Sequence, residues 1–136
     1  MKTVVLDNSV ILKAFFDEEG QEEVVKMLYL KNTFKLKILV PGIFPYEFFN
    51  IYARYQGKEK ALRAFEDLQT GQFMVVDLDV KILKSALSLM ERHDKVSFYD
   101  AAYHALAKVY NVDFVTADER YFEMMKGEGN VRLLSA

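Results

Sequence analysis

Cysteine is missing from all 136 residues, and so is tryptophan. Without cysteine there can be no disulfide, no thiolate metal site and no thiol nucleophile. Histidine is scarce: His93 and His104 are the two present, too few for a multi-histidine zinc site. A metal bound here must rest mainly on oxygen ligands, which favours Mg²⁺ or Mn²⁺. Long apolar runs are also absent. None approaches the ~20 residues of a membrane-spanning helix. The N-terminal run before Asp7 is too short for a signal peptide, so a cytoplasmic location and no membrane association are expected. Nor is there an excess of positive charge. The net charge is −2 and the pI about 5.7, which argues against holding nucleic acid by bulk electrostatics. It leaves room for a site whose bound cations offset clustered acids.

No linker, repeat or low-complexity tract interrupts the chain. Hydrophobic residues make up 51% and charged residues 28%, as in one globular domain spanning residues 1–136. Short β-branched runs predict strands over Lys2–Leu6, Lys37–Val40, Phe73–Val76 and Asp113–Thr116, with Val131–Leu134 as a last one. Their apolar character is continuous rather than alternating, which suits a parallel sheet covered on both faces. Helical spacing lies between them. Val24, Val25, Leu28 and Tyr29 share a face, as do Ala61, Leu62, Phe65 and Leu68 within Lys58–Gln69. Asp79 is placed to cap a helix carrying Ile82, Leu83, Ala86, Leu87 and Met90. The order β-α-α-β-α-α-β-α-α-β-α-β predicts an α/β/α sandwich on a central, mainly parallel sheet of about five strands. Sites in such sheets form beyond the carboxyl ends of the strands.

Four acids fall at those ends. Asp7 directly follows the first strand, where a loop or helix-capping role is the bland alternative. Glu47 lies in Ile43–Tyr55, a segment apolar on nearly every side of a helix and therefore expected to be buried. Its polar stripe is Glu47, Asn50 and Arg54, so a structural contact among these is the competing reading. Asp100 sits in the first turn of a helix that Ser97 can cap, which gives it a capping alternative. On that helix Phe98, Ala102, Ala105 and Val109 form a core face, with Asp100, His104 and Lys108 opposite. Asp118 ends the fourth strand and opens the next helix, again a possible cap. Four carboxylates on one edge repel strongly unless cations neutralise them. Oxygen-ligated divalent ions serve phosphoryl transfer.

Taken together, Val5-Leu6-Asp7-Asn8-Ser9-Val10, Tyr46-Glu47-Phe48-Phe49-Asn50, Ser97-Phe98-Tyr99-Asp100-Ala101-Ala102-Tyr103 and Val115-Thr116-Ala117-Asp118 resemble the PIN-domain family. More narrowly, they look like the VapC-type toxins of toxin–antitoxin pairs. Their order and spacing cover nearly the whole chain. The resemblance implies Asp7, Glu47, Asp100 and Asp118 as a catalytic, metal-binding quartet. It also implies Mg²⁺ or Mn²⁺, endoribonuclease activity through metal-activated water, an antitoxin partner and a homodimer. Asp7 and Asp100 would be the main ligands. Ser9 and Thr116 would orient carboxylates through their hydroxyls, and Asn50 through its amide. Asn8 departs from the family's usual Thr or Ala. His104 departs from a usually apolar position and is either structural or an auxiliary base or ligand.

Lys13, Arg54 and Arg120 lie near the quartet in sequence and are candidates for gripping phosphates. Asp17, Glu18, Glu19, Glu22 and Glu23 read as a solvated acidic face. The aromatics of Phe44–Tyr55 suit core or interface packing, or base stacking. With the Ile11–Phe16 helix they can supply a dimer contact. Met124 and Met125 are expected in the core. Two other functions compete with the nuclease. One is a non-catalytic PIN-like module that binds RNA or protein. The other is a different metal-dependent hydrolase, though an Asp-nucleophile phosphatase would want a second Asp where Ser9 stands.

Overall fold

A computed structural model describes residues 2–14, 16, 20–32, 35–69 and 73–134. The acids Asp17, Glu18 and Glu19, and the side chains of Leu28, Tyr29 and Leu68, lie outside what it describes. The strands are β1 (Lys2–Leu6), β2 (Leu36–Pro41), β3 (Met74–Val76), β4 (Asp113–Thr116) and β5 (Val131–Leu133). All pair in parallel, in the order β3-β2-β1-β4-β5. The helices are α1 (Asn8–Ile11), α2 (Gln21–Asn32), α3 (Phe44–Gln56), α4 (Lys58–Gln69), α5 (Val80–Arg92), α6 (Phe98–Tyr110) and α7 (Glu119–Met125). This is the expected α/β/α architecture, with the strands and helices in the anticipated order. Some boundaries differ: β2 extends one residue beyond the expected Lys37–Val40 at each end, β3 starts at Met74 rather than Phe73, β5 stops at Leu133 rather than Leu134, and in place of the Ile11–Phe16 helix stands α1 followed by a 3₁₀ turn, Leu12–Ala14.

Parallel pairing requires a crossover between successive strands, and the helices of these crossovers lie on both faces of the sheet. Phe114 pairs with Val5 across β4 and β1, so the two share a face. Phe114 packs against Tyr103 and His104 of α6 and Tyr121 of α7. Val4, one residue out of phase, lines a cleft with Met27 of α2 on the other face. The central strands β1 and β2 are buried along Val4–Leu6 and Ile38–Val40. The edge strand β3 is not: Met74 and Val75 are exposed.

Three apolar expectations fail for related reasons. The helix holding Glu47 is not buried all round. Phe44 and Phe48 enter the core while Tyr46 and Tyr55 face out, 72% and 70% exposed. That helix packs on α4 and α1, and Tyr46, Asn50, Arg54 and Tyr55 stay exposed. Val25, Leu62, Leu87 and Met124 are likewise exposed at the outer edges of their helices, whereas Met125 is buried. The reverse holds for α6. Ala101 through Ala107 are all buried, and His104, expected opposite the core face, is fully enclosed. Small alanines let α6 lie close to the sheet while α5 covers it outside.

Helix ends follow their capping chemistry. Asp7, Asp79, Ser97 and Asp118 each accept a hydrogen bond from a first-turn amide. Asn111 ends α6 in the left-handed region at φ 54° and Gly57 ends α3 at φ 90°, where asparagine and glycine are tolerated best.

Candidate active site

The chain order reverses at β1, which has β2 on one side and β4 on the other. A crevice opens beyond the carboxyl ends of strands at such a point. Asp7 leaves the end of β1 and Asp118 follows the end of β4. Glu47 stands on the helix after β2, and Asp100 on the first turn of the helix leading into β4.

Asp7 is the most constrained of the four. Its Oδ1 accepts hydrogen bonds from the Ser9 hydroxyl and from the Val10 amide at 3.1 Å. Its Oδ2 accepts one from Thr116 Oγ1 at 3.1 Å, and that oxygen in turn accepts from the Asp118 amide at 3.1 Å. Thr116 is 1% exposed, so one buried hydroxyl ties the ends of β1 and β4 together. Three donors stabilise a carboxylate. Burial outweighs them, and with Asp100 adding repulsion it pushes the Asp7 carboxyl up to about 6.

Glu47 is held differently. The Tyr103 hydroxyl donates to its Oε1 at 2.7 Å, and Asn8 Nδ2 lies 3.3 Å from the same oxygen and 3.3 Å from the Tyr103 oxygen. Burial, then the Asp100 charge, raise the Glu47 carboxyl despite those bonds. Burial and then Glu47 push the Tyr103 phenol well above its ordinary range, so it remains a donor. Asn8 is 7% exposed, and its Oδ1 has no hydrogen-bond partner among the described residues. Asp100, whose amide is capped by Ser97 at 3.2 Å, is raised by burial and then by the charge of Asp118. Asp100 therefore interacts electrostatically with all three other acids.

Among the described residues no three acidic or imidazole side chains close on one point as a finished ligand shell. The donor set nevertheless suits a hard cation. It is all oxygen, one member is fixed by three hydrogen bonds, and three of the four carboxylates are held above their usual range, by burial first and by a neighbouring acid second. A divalent ion would relieve that repulsion.

Of the remaining candidates, Ser9 and Thr116 hold Asp7 as described. Asn50 and Arg54 are exposed on α3, and neither lines the acidic cleft. That cleft, about 630 Å³, is walled by Asp100 and Asp118 with Lys95, Arg120 and Tyr121. Lys13 lines a second groove of about 560 Å³ that shares Asp118 with the first. His104 is not a ligand. Its Nε2 is 2.7 Å from the Gly129 carbonyl, which only accepts, so Nε2 carries the proton. Nδ1 then accepts from the Tyr121 hydroxyl at 2.8 Å. Burial lowers the imidazole's pKa and keeps it neutral. Sequence reasoning missed Tyr103 and Lys95 as site residues, and it treated Asn8 only as a neighbour of a ligand. The spacing of Tyr103, three residues after Asp100 on one helix, was the available signal.

The PIN domain family model matches residues 4–127. The chain belongs to the PIN domain family. Its PIN fold is shared with solved structures of low sequence identity. It is similar to DNA-bound VapBC from Salmonella typhimurium at 18% identity, covering 99% of this chain and 100% of that one, with a TM-score of 0.72. The VapC20 toxin of Mycobacterium tuberculosis, described as cleaving the sarcin–ricin loop, aligns at 15% identity over 91% of this chain and 95% of its own, with a TM-score of 0.68. PAE2754 from Pyrobaculum aerophilum aligns at 22% identity over 98% and 91%, with a TM-score of 0.64. Among proteins of curated function, none matches by sequence. Among the described residues of this PIN domain, no helix is long and apolar enough to cross a membrane.

Proposed function

We propose that this PIN domain, a single unit over residues 1–136, is a divalent-metal-dependent endoribonuclease. We further propose that it is the toxin of a VapBC-type pair. The observation that carries the reading is the gathering of four carboxylates at the switch point of a parallel sheet, where burial raises Asp7, Glu47 and Asp100, the charge of Asp100 adds to the first two and that of Asp118 to Asp100. An acidic cluster of this kind is costly unless a cation completes it. Asp7, Asp100, Asp118 and Glu47 would hold Mg²⁺ or Mn²⁺, which when bound lowers the pKa of a water and offsets charge developing at phosphorus. Ser9 and Thr116 keep the Asp7 carboxylate in one orientation. Tyr103 and Asn8 fix one oxygen of Glu47 and leave Oε2 without a partner among the described residues, able to accept a proton from the attacking water. Lys95 and Arg120 stand in the cleft wall where they can take the non-bridging oxygens of the phosphodiester.

The toxin–antitoxin reading draws on the structural neighbours, several of which are VapBC assemblies. A cognate antitoxin would shield the acidic cleft. Exposed Tyr46 and Leu62 on α3 and α4 leave apolar surface for a second copy of this chain, and sedimentation of the purified protein tests for that dimer. Cytoplasmic action follows if the substrate is cellular RNA. The direct test is incubation of purified protein with a panel of structured RNAs and Mn²⁺ or Mg²⁺. Cleavage that EDTA stops supports the nuclease. No cleavage together with no Mn²⁺ binding by calorimetry would instead make this chain a non-catalytic RNA- or protein-binding module.

A further inference from the structure

His104 lies fully buried in the middle of α6, and neither of its nitrogens is spare. Gly129 offers it a carbonyl, so Nε2 donates there at 2.7 Å and Nδ1 is left to accept from the Tyr121 hydroxyl at 2.8 Å. Burial, then the charges of Asp100 and Asp7, push the Tyr121 phenol well above its ordinary range, so it stays a donor. The two rings meet edge-on at 5.7 Å and 67°. This bond joins two helices that each carry an acid of the cleft. Asp100 stands one turn before His104 on α6, and Asp118 stands three residues before Tyr121, as the cap of α7. Asp118 is exposed, and its helix has seven residues, too few to hold a position without tertiary ties. Its own bonds are local: its amide donates to Thr116 Oγ1 at 3.1 Å, and its Oδ1 accepts from the Tyr121 amide at 3.1 Å. Gly129 closes the 3₁₀ turn Lys126–Glu128 that follows α7. The one imidazole therefore holds α7 near its start, through Tyr121, and just past its end.

We propose that His104 is a positioning residue: acting through the Tyr121 hydroxyl, it sets the separation of Asp100 and Asp118 across the acidic cleft. The proposal rests on the nuclease reading and adds to it the element that fixes two of the four carboxylates relative to each other. An imidazole suits the task because it donates and accepts from one rigid ring, and hydrogen bonds tolerate little change in length. Leucine at this position would fill similar space. It would leave the Tyr121 hydroxyl and the Gly129 carbonyl buried without these partners, and α7 would keep its packing on β4 and β5 while losing its tie to α6. Ligands of an ion depend on such outer partners for their orientation. A histidine that merely satisfied its neighbours would, on removal, weaken the fold evenly. A strut between the two helices would, on removal, loosen the start of α7 first.

Three variants test this. His104→Leu removes both bonds, Tyr121→Phe deletes one hydroxyl, and His104→Gln keeps a donor and an acceptor on one side chain. The first readout is amide hydrogen exchange without metal. In His104→Leu and Tyr121→Phe the amides of Tyr121 and Phe122, which bond to Asp118, should exchange at least about tenfold faster, while the Ile82 amide, capped in the same way by Asp79 on α5, should change by less than about threefold. The second readout is Mn²⁺ affinity by calorimetry, which should fall by about tenfold to a hundredfold in both variants. The double variant should bind no more weakly than either single one, and His104→Gln should recover most of the loss. Tyr121→Phe carries the test alone if His104→Leu does not fold. Equal acceleration at Ile82 and Tyr121 would make His104 a residue of general stability and overturn the proposal. Unchanged Mn²⁺ affinity in Tyr121→Phe, or losses that add in the double variant, would overturn it as well and leave the nuclease intact. Failure of the nuclease reading looks different: wild type neither binds Mn²⁺ nor cuts RNA, and the exchange comparison then decides the strut alone.

Discussion

Asp7 accepts three hydrogen bonds, each of which should hold its carboxyl below the ordinary value, and yet burial carries it from 3.8 to about 6. The native state without metal thus binds that proton more tightly than the unfolded chain does. Stability from this group is fully present below about pH 4, falls as pH rises towards 6, and is lowest above it, with a cost of about 3 kcal/mol at neutral pH. In EDTA the wild-type Tm should therefore rise as pH falls from 7.5 to 5.5. Asp7→Asn should be more stable than wild type at pH 7.5 and should lose much of that advantage at pH 5. Calorimetric melts at the two pH values check this, and a lower Tm for Asp7→Asn at pH 7.5 would contradict it. Tyr103 gives a second prediction. Tyr103→Phe removes the 2.7 Å bond to Glu47 and the contact with Asn8. It should weaken Mn²⁺ binding and slow cleavage by about tenfold to a hundredfold, at a stability cost of about 1–2 kcal/mol. Unchanged Mn²⁺ affinity by calorimetry would make Tyr103 merely a packing residue. The acids were legible because carboxylates at strand ends break an apolar pattern. Tyr103 was not, because a tyrosine among alanines reads as core, and its hydroxyl acts on a residue 56 positions away.

At the scale of elements, the strand and helix order was readable because buried parallel strands leave continuous β-branched runs. Exposure was less readable. An aromatic-rich helix such as α3 reads as buried all round, but the sequence does not say that the helices it packs on are α4 and the short α1. Tyr46 and Tyr55 face outward for that reason. The acid Glu128, which no pattern singled out, joins three elements. It accepts two hydrogen bonds from Arg92 at 2.8 Å and contacts His93 at 2.8 Å, and its backbone carbonyl accepts from Lys108 at 2.7 Å. These fasten the end of α5 and the last turn of α6 to the 3₁₀ turn before β5. The Arg92 hydrogen bonds lead in holding the Glu128 carboxyl down at about 2. Stability from this group is present above about pH 4.5 and is lost as pH falls towards 2. With solvent screening of the half-exposed Arg92, Glu128→Gln should cost about 1–2 kcal/mol at pH 7. The difference from wild type should shrink below pH 3. Urea melts resolve it, and an equal midpoint at pH 7 would remove the tie from the account.

For the whole molecule, a net charge of −2 hides an uneven distribution. Three carboxylates held above their ordinary range share one edge of the sheet, and the cleft wall there also carries Lys95 and Arg120. Composition reports the sum and not the place, so bulk charge could not reveal a nucleic-acid site. Cation binding to the folded state alone should stabilise it by mass action, about 2.7 kcal/mol at a hundredfold excess over Kd. Mn²⁺ should therefore raise the Tm of wild type and have little effect on Asp100→Asn. An equal rise in both would place the ion elsewhere. The central claim is that the four carboxylates cut RNA with a divalent ion, and one comparison tests it most directly: cleavage of a structured RNA panel in Mn²⁺ by wild type and by Asp100→Asn, both folded. The account predicts cleavage by wild type that EDTA stops and that Asp100→Asn lowers by at least about a hundredfold. Cleavage undiminished in Asp100→Asn would contradict it.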